Sequence, residues 1–184
     1  MLDLMTGNEE HVSLLLEFCT DATSQLIKLM SQTGCDMVSN GDCPAGPEMI
    51  SPEMYLKYAF PYEKKIAEAA HNAGNPYALH ICGNTDAILE HMVKTGSDAI
   101  ELDYKTDITR IYSICHDSVT FIGNIDPSGV LALGTPSEVQ KKTNELLDLY
   151  KDFYRFILNA GCAIPPTTPS ENLKIMIDTA RSYR

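Results

Sequence analysis

No stretch of this 184-residue chain stays apolar for long enough to span a bilayer. That excludes a helical membrane protein. Positive charge is scarce: 14 Lys and Arg stand against 25 Asp and Glu, for a formal net charge of −11. Nucleic-acid phosphates would be repelled by such a field, and an anionic membrane surface equally. The N-terminus, Met1-Leu-Asp-Leu-Met-Thr-Gly7, has neither the basic stretch nor the apolar core of a secretory signal. The expectation is therefore a cytoplasmic protein. A Gly-x-Gly-x-x-Gly after a first strand is also missing, which removes the main support for a nucleotide-binding doubly wound sheet. No low-complexity tract or clear linker divides the chain. At 44% hydrophobic it can bury a real core, and one domain over 1–184 is expected.

What is present is an alternation of helical and strand patterns. Val12, Leu15, Leu16, Cys19, Ala22, Leu26, Leu29 and Met30 recur at helical spacing, predicting a helix over about 9–33 with Cys19 in the core. Strands are expected at 35–39, 76–81, 98–103, 119–123 and 154–158. Ser51 and Pro52 open a helix running to about 72, and shorter helices are expected at 84–95 and 107–115. Thr135-Pro-Ser-Glu138 and Thr168-Pro-Ser-Glu171 both have the form of a capping box with proline at the first helical position. Strands separated by single helices imply a parallel sheet with right-handed crossovers.

Polar groups collect where these strands end: Asp42 and Cys43, His80 and Cys82, Glu101 and Asp103, Asn124 and Asp126, and Cys162. That distribution is the rim of a β/α barrel, although a complete barrel takes roughly 250 residues and only about five βα units are visible here. His80, Cys82 and Cys162 form the most specific group, because imidazole and thiolate select zinc over magnesium or calcium. Their wide separation excludes a zinc finger, and six cysteines without dense spacing do not make a disulfide scaffold. Asp103 or Glu101 would supply a fourth, carboxylate ligand, with Asp103 preferred for its place at the strand tip. Cys35 and Cys115 read as core or helix-end residues, while Cys43 falls at the barrel mouth. Asp42 in Asn40-Gly-Asp42 reads either as a functional rim group or as turn chemistry. Asn124 and Asp126 line the pocket or close an Asp-Pro turn.

The chain resembles the uroporphyrinogen decarboxylase superfamily, and within it the zinc-dependent methylcobamide:coenzyme M methyltransferases. The resemblance is carried by Ser51-Pro-Glu-Met-Tyr55 with Pro61-Tyr62, His80-Ile-Cys-Gly-Asn84, Gly123-Asn-Ile-Asp-Pro127, and Gly161-Cys162 through Thr168-Pro-Ser-Glu-Asn-Leu173. It implies a TIM (β/α)8-type barrel of which this chain matches the C-terminal part. It also implies zinc on His80, Cys82 and Cys162, with Asp42 and Asp126 as catalytic groups and Asn84 and Asn124 toward the cofactor. The implied reaction moves a methyl group from a methylated corrinoid, carried by a corrinoid protein, to a small thiol such as coenzyme M. Two other readings stay open: a metal-free decarboxylase using Asp42 or Asp126, and a non-catalytic corrinoid- or metal-binding partial barrel. An open barrel leaves two strand edges bare, so a homo-oligomer or a complementing chain is expected.

Overall fold

The computed structural model describes residues 7–183; Met1 to Thr6, on which the secretory reading rests, lie outside the described residues. Helix α1 (Glu9–Ser31) is capped by the Asn8 side chain, which accepts from the His11 amide. Strand β1 (Val38–Gly41) follows, then a 3-10 turn (Cys43–Ala45) and helices α2 (Pro52–Tyr58) and α3 (Phe60–Asn72). The rest of the chain runs β2 (Tyr77–Ile81), α4 (Leu89–Val93), β3 (Ala99–Leu102), α5 (Ile108–Cys115) and β4 (Thr120–Ile125). A π-helical turn (Pro127–Ala132), α6 (Pro136–Tyr150), β5 (Phe156–Ala160) and α7 (Ser170–Ser182) complete it.

All strand pairings are parallel, and the order across the sheet is β1-β2-β3-β4-β5. A doubly wound sheet reverses its order at a switch point; this one never does, so it is wound in one sense like a barrel wall. Strand alternation divides the side chains between two faces. Leu79, Ile81, Ile100, Leu102 and Phe121 join the main core under the helices. Ala78, Ala99 and Ile122 form a separate small cluster on the opposite face, Ala78 paired with Ala99 across β2 and β3, and Ile122 of β4 beside Glu101. That second face opens a cleft of about 310 Å³, lined among others by Ser39, Ala78, His80, Glu101, Ile122 and Asn159. Small side chains there keep the cleft open.

Several local expectations need correction. The helix expected over 51–72 is two helices broken at Ala59, because Pro61 has no N–H to continue the ladder of α2. β1 begins at Val38 rather than 35: the Asn75 amide holds the Cys35 carbonyl in the preceding turn, and the Val38 amide is the one that reaches Pro76. The Thr135 capping box forms, with reciprocal bonds between Thr135 and Glu138. Its counterpart does not. Thr168 spends its amide on the Pro165 carbonyl, α7 starts after Pro169, and the Thr168 hydroxyl is buried without a partner.

The stripe assigned to α1 is only partly the covered one. The covered side runs through Val12, Leu16, Thr20, Thr23 and Ile27, whereas Cys19 is exposed and Leu14 and Phe18 are 62% and 72% exposed. The helix is apolar over a wider arc than its neighbours cover, and threonines hide the packed face. Cys115 is core as expected. No helix among the described residues is long and apolar enough to cross a membrane.

Candidate metal centre

His80 is the fourth residue of β2 and points into the cleft, because the alternation that sends Leu79 and Ile81 to the core sends Ala78 and His80 the other way. Cys82 lies just past the strand end. Cys162 follows β5, three strands across the sheet. Their ligand atoms nevertheless meet: His80 Nε2 lies 3.0 Å from Cys82 Sγ, the Cys82 and Cys162 sulfurs are 3.4 Å apart, and Cys162 Sγ is 4.0 Å from Nε2.

A glycine makes the crossing possible. A Cβ on Gly161 would stand 2.7 Å from the Tyr104 backbone nitrogen and 2.9 Å from the Leu102 carbonyl oxygen. The chain before Cys162 thus passes directly over the end of β3, while its amide bonds the Ile125 carbonyl.

The ring of His80 is fixed from behind. Its Nδ1 faces the Glu101 carbonyl at 3.1 Å and a Glu101 carboxylate oxygen at 3.4 Å, and the other carboxylate oxygen accepts from the Asn159 amide at 2.8 Å. This is the outer-shell arrangement that orients a metal-binding imidazole and raises its basicity. Glu101 therefore holds the His80 ring in its orientation. Replacing it by alanine is expected to weaken metal retention by about 10–100-fold, read by competition with a chelator, without unfolding the sheet.

The preferred fourth ligand is placed differently from expectation. Asp103 is buried, and its carboxylate accepts from the backbone amides of Gly83 and Lys105. It ties the loop after β2 to the loop after β3 and does not join the donor group. A third sulfur approaches that group instead: Cys43 lies 2.7 Å from Cys82, and Cys43, His80 and Cys82 offer ligand atoms all within 4.8 Å of one another. The sequence signal was the register, in which Gly41 pairs with His80 and so brings the residues after β1 to the same rim.

The donor set fits zinc. Ligands about 2.3 Å from a tetrahedral zinc are spaced by about 3.8 Å; the spacings of His80, Cys82 and Cys162, 3.0, 3.4 and 4.0 Å, lie close to that value, whereas Cys43, 2.7 Å from Cys82, would have to move outward to join them. Burial, and after it hydrogen bonding of the Cys82 thiol to the Cys43 and Cys162 sulfurs, push the Cys82 thiol well above its usual range. Sulfurs packed this closely repel one another as anions, and a divalent cation among them reverses that balance.

The remaining predicted site residues stand elsewhere. Asp126 caps the π-helical turn, accepting from the Ser128 and Gly129 amides at 2.9 Å, so the Asp-Pro turn reading holds there. Asn84 is exposed and accepts from the Asp86 amide in a local turn. Asn124 is buried, with its amide donating to the Asp103 carbonyl. Asp42 lines a second cavity of about 240 Å³ on the helix side of the sheet, with Thr20, Asn40, Glu63 and Tyr77.

In that second cavity burial raises the Asp42 carboxyl and pushes Glu63 up to about 8, against the opposing hydrogen bond from the Tyr55 hydroxyl at 2.5 Å. Glu63 is 4% exposed and its other oxygen has no partner. A carboxyl raised on folding favours the folded state while protonated, so its contribution is complete below the ordinary value of 4.5 and is lost as pH rises through about 8. Between those values wild-type stability is expected to fall by at most about 1.4 kcal/mol per pH unit. Glu63→Gln should remove that slope in denaturant titrations across the same range.

Comparison with known proteins agrees with this architecture. The family model "Uroporphyrinogen decarboxylase (URO-D)" matches residues 1–183. The methylcobamide:CoM methyltransferase MtbA of Methanosarcina mazei is 39% identical over 182 residues, covering 99% of this chain and 52% of the relative. A uroporphyrinogen decarboxylase of Prochlorococcus marinus is 31% identical over 170 residues, covering 91% and 47%. A solved methyltransferase from Methanosarcina mazei superposes with a TM-score of 0.81 at 24% identity, over 89% of this chain and 47% of that one, which speaks for the fold. The chain thus spans about half the length of the curated relatives it matches. By its sequence, its singly wound parallel sheet and the order of its motifs, it belongs to the uroporphyrinogen decarboxylase family.

Proposed function

We propose that this chain carries the zinc-binding, thiol-activating part of a methyltransferase that moves a methyl group from a methylated corrinoid to a small thiol such as coenzyme M. The observation that carries the reading is the meeting of His80, Cys82 and Cys162, from the ends of two separated strands, within 4.0 Å of one another. Similarity to two MtbA proteins named as methylcobamide:CoM methyltransferases supports the reaction class. His80, Cys82 and Cys162 would hold the zinc. A free thiol, with a pKa near about 8.5, is mostly protonated at neutral pH, and the chemistry zinc supplies is its conversion to a bound thiolate.

The chain's own residues do the rest. Glu101 fixes the imidazole so that Nε2 faces the sulfurs. The cleft beside His80 leaves room for a small acceptor, over a floor that includes Ala78 and Ile122. A corrinoid would approach across the open strand ends, carried on a corrinoid protein. A second copy of the chain, or a complementing chain, would cover the edges of β1 and β5, which pair on one side only among the described residues.

A decarboxylase-like reaction would need Asp42 or Asp126 at the cleft. Asp126 is committed to a turn and Asp42 opens to the other side of the sheet. The test is elemental analysis of the purified chain, followed by incubation with methylcobalamin and a panel of thiols, with and without a complementing chain. About one zinc per chain and methylation of a thiol are expected. Stoichiometric zinc with no thiol methylated in either arm would leave a metal-binding partial barrel and overturn the catalytic reading.

A further inference from the structure

Both carboxylates that follow the His80–Cys82 loop are committed elsewhere, Asp103 to two backbone amides and Glu101 to Asn159 and the back of His80. Cys43 has no such commitment, and its sulfur lies 2.7 Å from that of Cys82.

Its position is built into the fold. The Asp42 amide donates to the His80 carbonyl, which extends the β1–β2 ladder one step beyond the Gly41–His80 pair. The Ala45 and Gly46 amides then close the turn on the carbonyls of Asp42 and Cys43, and Ala45 is buried. Gly46 lets this turn sit against the neighbouring strand, since a Cβ there would meet the Cys82 carbonyl oxygen at 3.1 Å.

We propose, resting on the zinc reading above, that Cys43 is a displaceable fourth ligand that closes the metal site at rest and gives way to the substrate thiol. Zinc sites with four protein ligands are closed, and catalytic ones keep one position for substrate; a cysteine on a separate turn allows one chain to do both. The exchange balances. The incoming thiol gives up its proton as its sulfur bonds to the metal, and Cys43 takes up a proton as its bond to the metal breaks. The number of bound thiolates is unchanged and no net proton reaches solvent. Without Cys43, water fills the position, and thiol binding releases both the water and a proton.

The test loads the full chain with Co2+ and reads the sulfur-to-metal charge-transfer absorption of wild type, Cys43→Ser and Cys43→Ala, before and after adding mercaptoethanesulfonate. Wild type is expected to show three-thiolate intensity that the thiol leaves unchanged. The variants should show about two thirds of it, rising to the wild-type level on thiol addition. Calorimetry in buffers of different ionisation enthalpy should detect proton release on thiol binding by the variants and none by wild type. Equal intensities in wild type and variants overturn the proposal and leave the three-residue centre standing. Absence of any charge-transfer band in wild type overturns the zinc reading and this proposal with it. Should both variants fail to fold, wild type decides alone: a band that grows by half on thiol addition overturns the proposal.

Discussion

Cys82→Ser is expected to abolish metal retention and, with it, thiol methylation, while leaving the circular dichroism spectrum of the chain unchanged. Cys82 is the hub of the donor group: its sulfur lies 3.0 Å from His80 Nε2, 3.4 Å from Cys162 and 2.7 Å from Cys43. A serine hydroxyl in its place is a hard, protonated donor where a soft thiolate is required. The loss should exceed about 1,000-fold in affinity, equivalent to about 4 kcal/mol. Two other cysteines calibrate the result. Cys115 is buried in the core, with its thiol pushed up to about 12 by burial, so Cys115→Ser should lower stability and leave zinc content intact. Cys19 is exposed, and Cys19→Ser should change neither. Full zinc content in Cys82→Ser would sink the assignment of the centre.

Gly161→Ala should produce the second large effect, by a different route. The added Cβ would stand 2.7 Å and 2.9 Å from backbone atoms of Tyr104 and Leu102, which cannot swing aside as a side chain can. Forcing one carbon into a close-packed site costs about 1–3 kcal/mol. The chain would move away from β3, and Cys162, the next residue, would move with it. The expected signature is a lower denaturation midpoint together with weaker metal retention, both read on one preparation. A variant that loses stability yet holds zinc as tightly as wild type would show that Cys162 is not positioned by this crossing.

The architecture was legible because each βα unit carries its own local signals. The strands expected at 76–81 and 119–123 reach the sheet as Tyr77–Ile81 and Thr120–Ile125, and Thr135-Pro-Ser-Glu138 starts its helix as its pattern demands. His80, Cys82 and Cys162 were visible because strand ends converge in a singly wound sheet, whatever the separation in sequence. Orientation was not legible at the same level. Strand alternation places Glu101 on the cleft face, yet nothing local says that Asp103, two residues on, turns its carboxylate to the Gly83 and Lys105 amides. Cys43 was legible at the mouth, but its approach to the Cys82 sulfur was not, because that depends on the pairing of β1 with β2. The matching form of Thr168-Pro-Ser-Glu171 misled for a related reason: a tight turn on Pro165 claims the amide before the helix begins. In α1 the apolar arc is broad, so periodicity alone could not choose which part of it is covered.

The passage of Gly161 over β3 has a mechanical consequence. Neighbouring strands are about 4.8 Å apart, so the ends of β2 and β5 would be about 14 Å apart in a flat sheet. The sulfurs that follow those ends are 3.4 Å apart. A single ion gripping them would work as a drawstring on the mouth of the sheet, tying the end of β2 to that of β5. The width of the cleft would then be set from the rim, by whatever those sulfurs held.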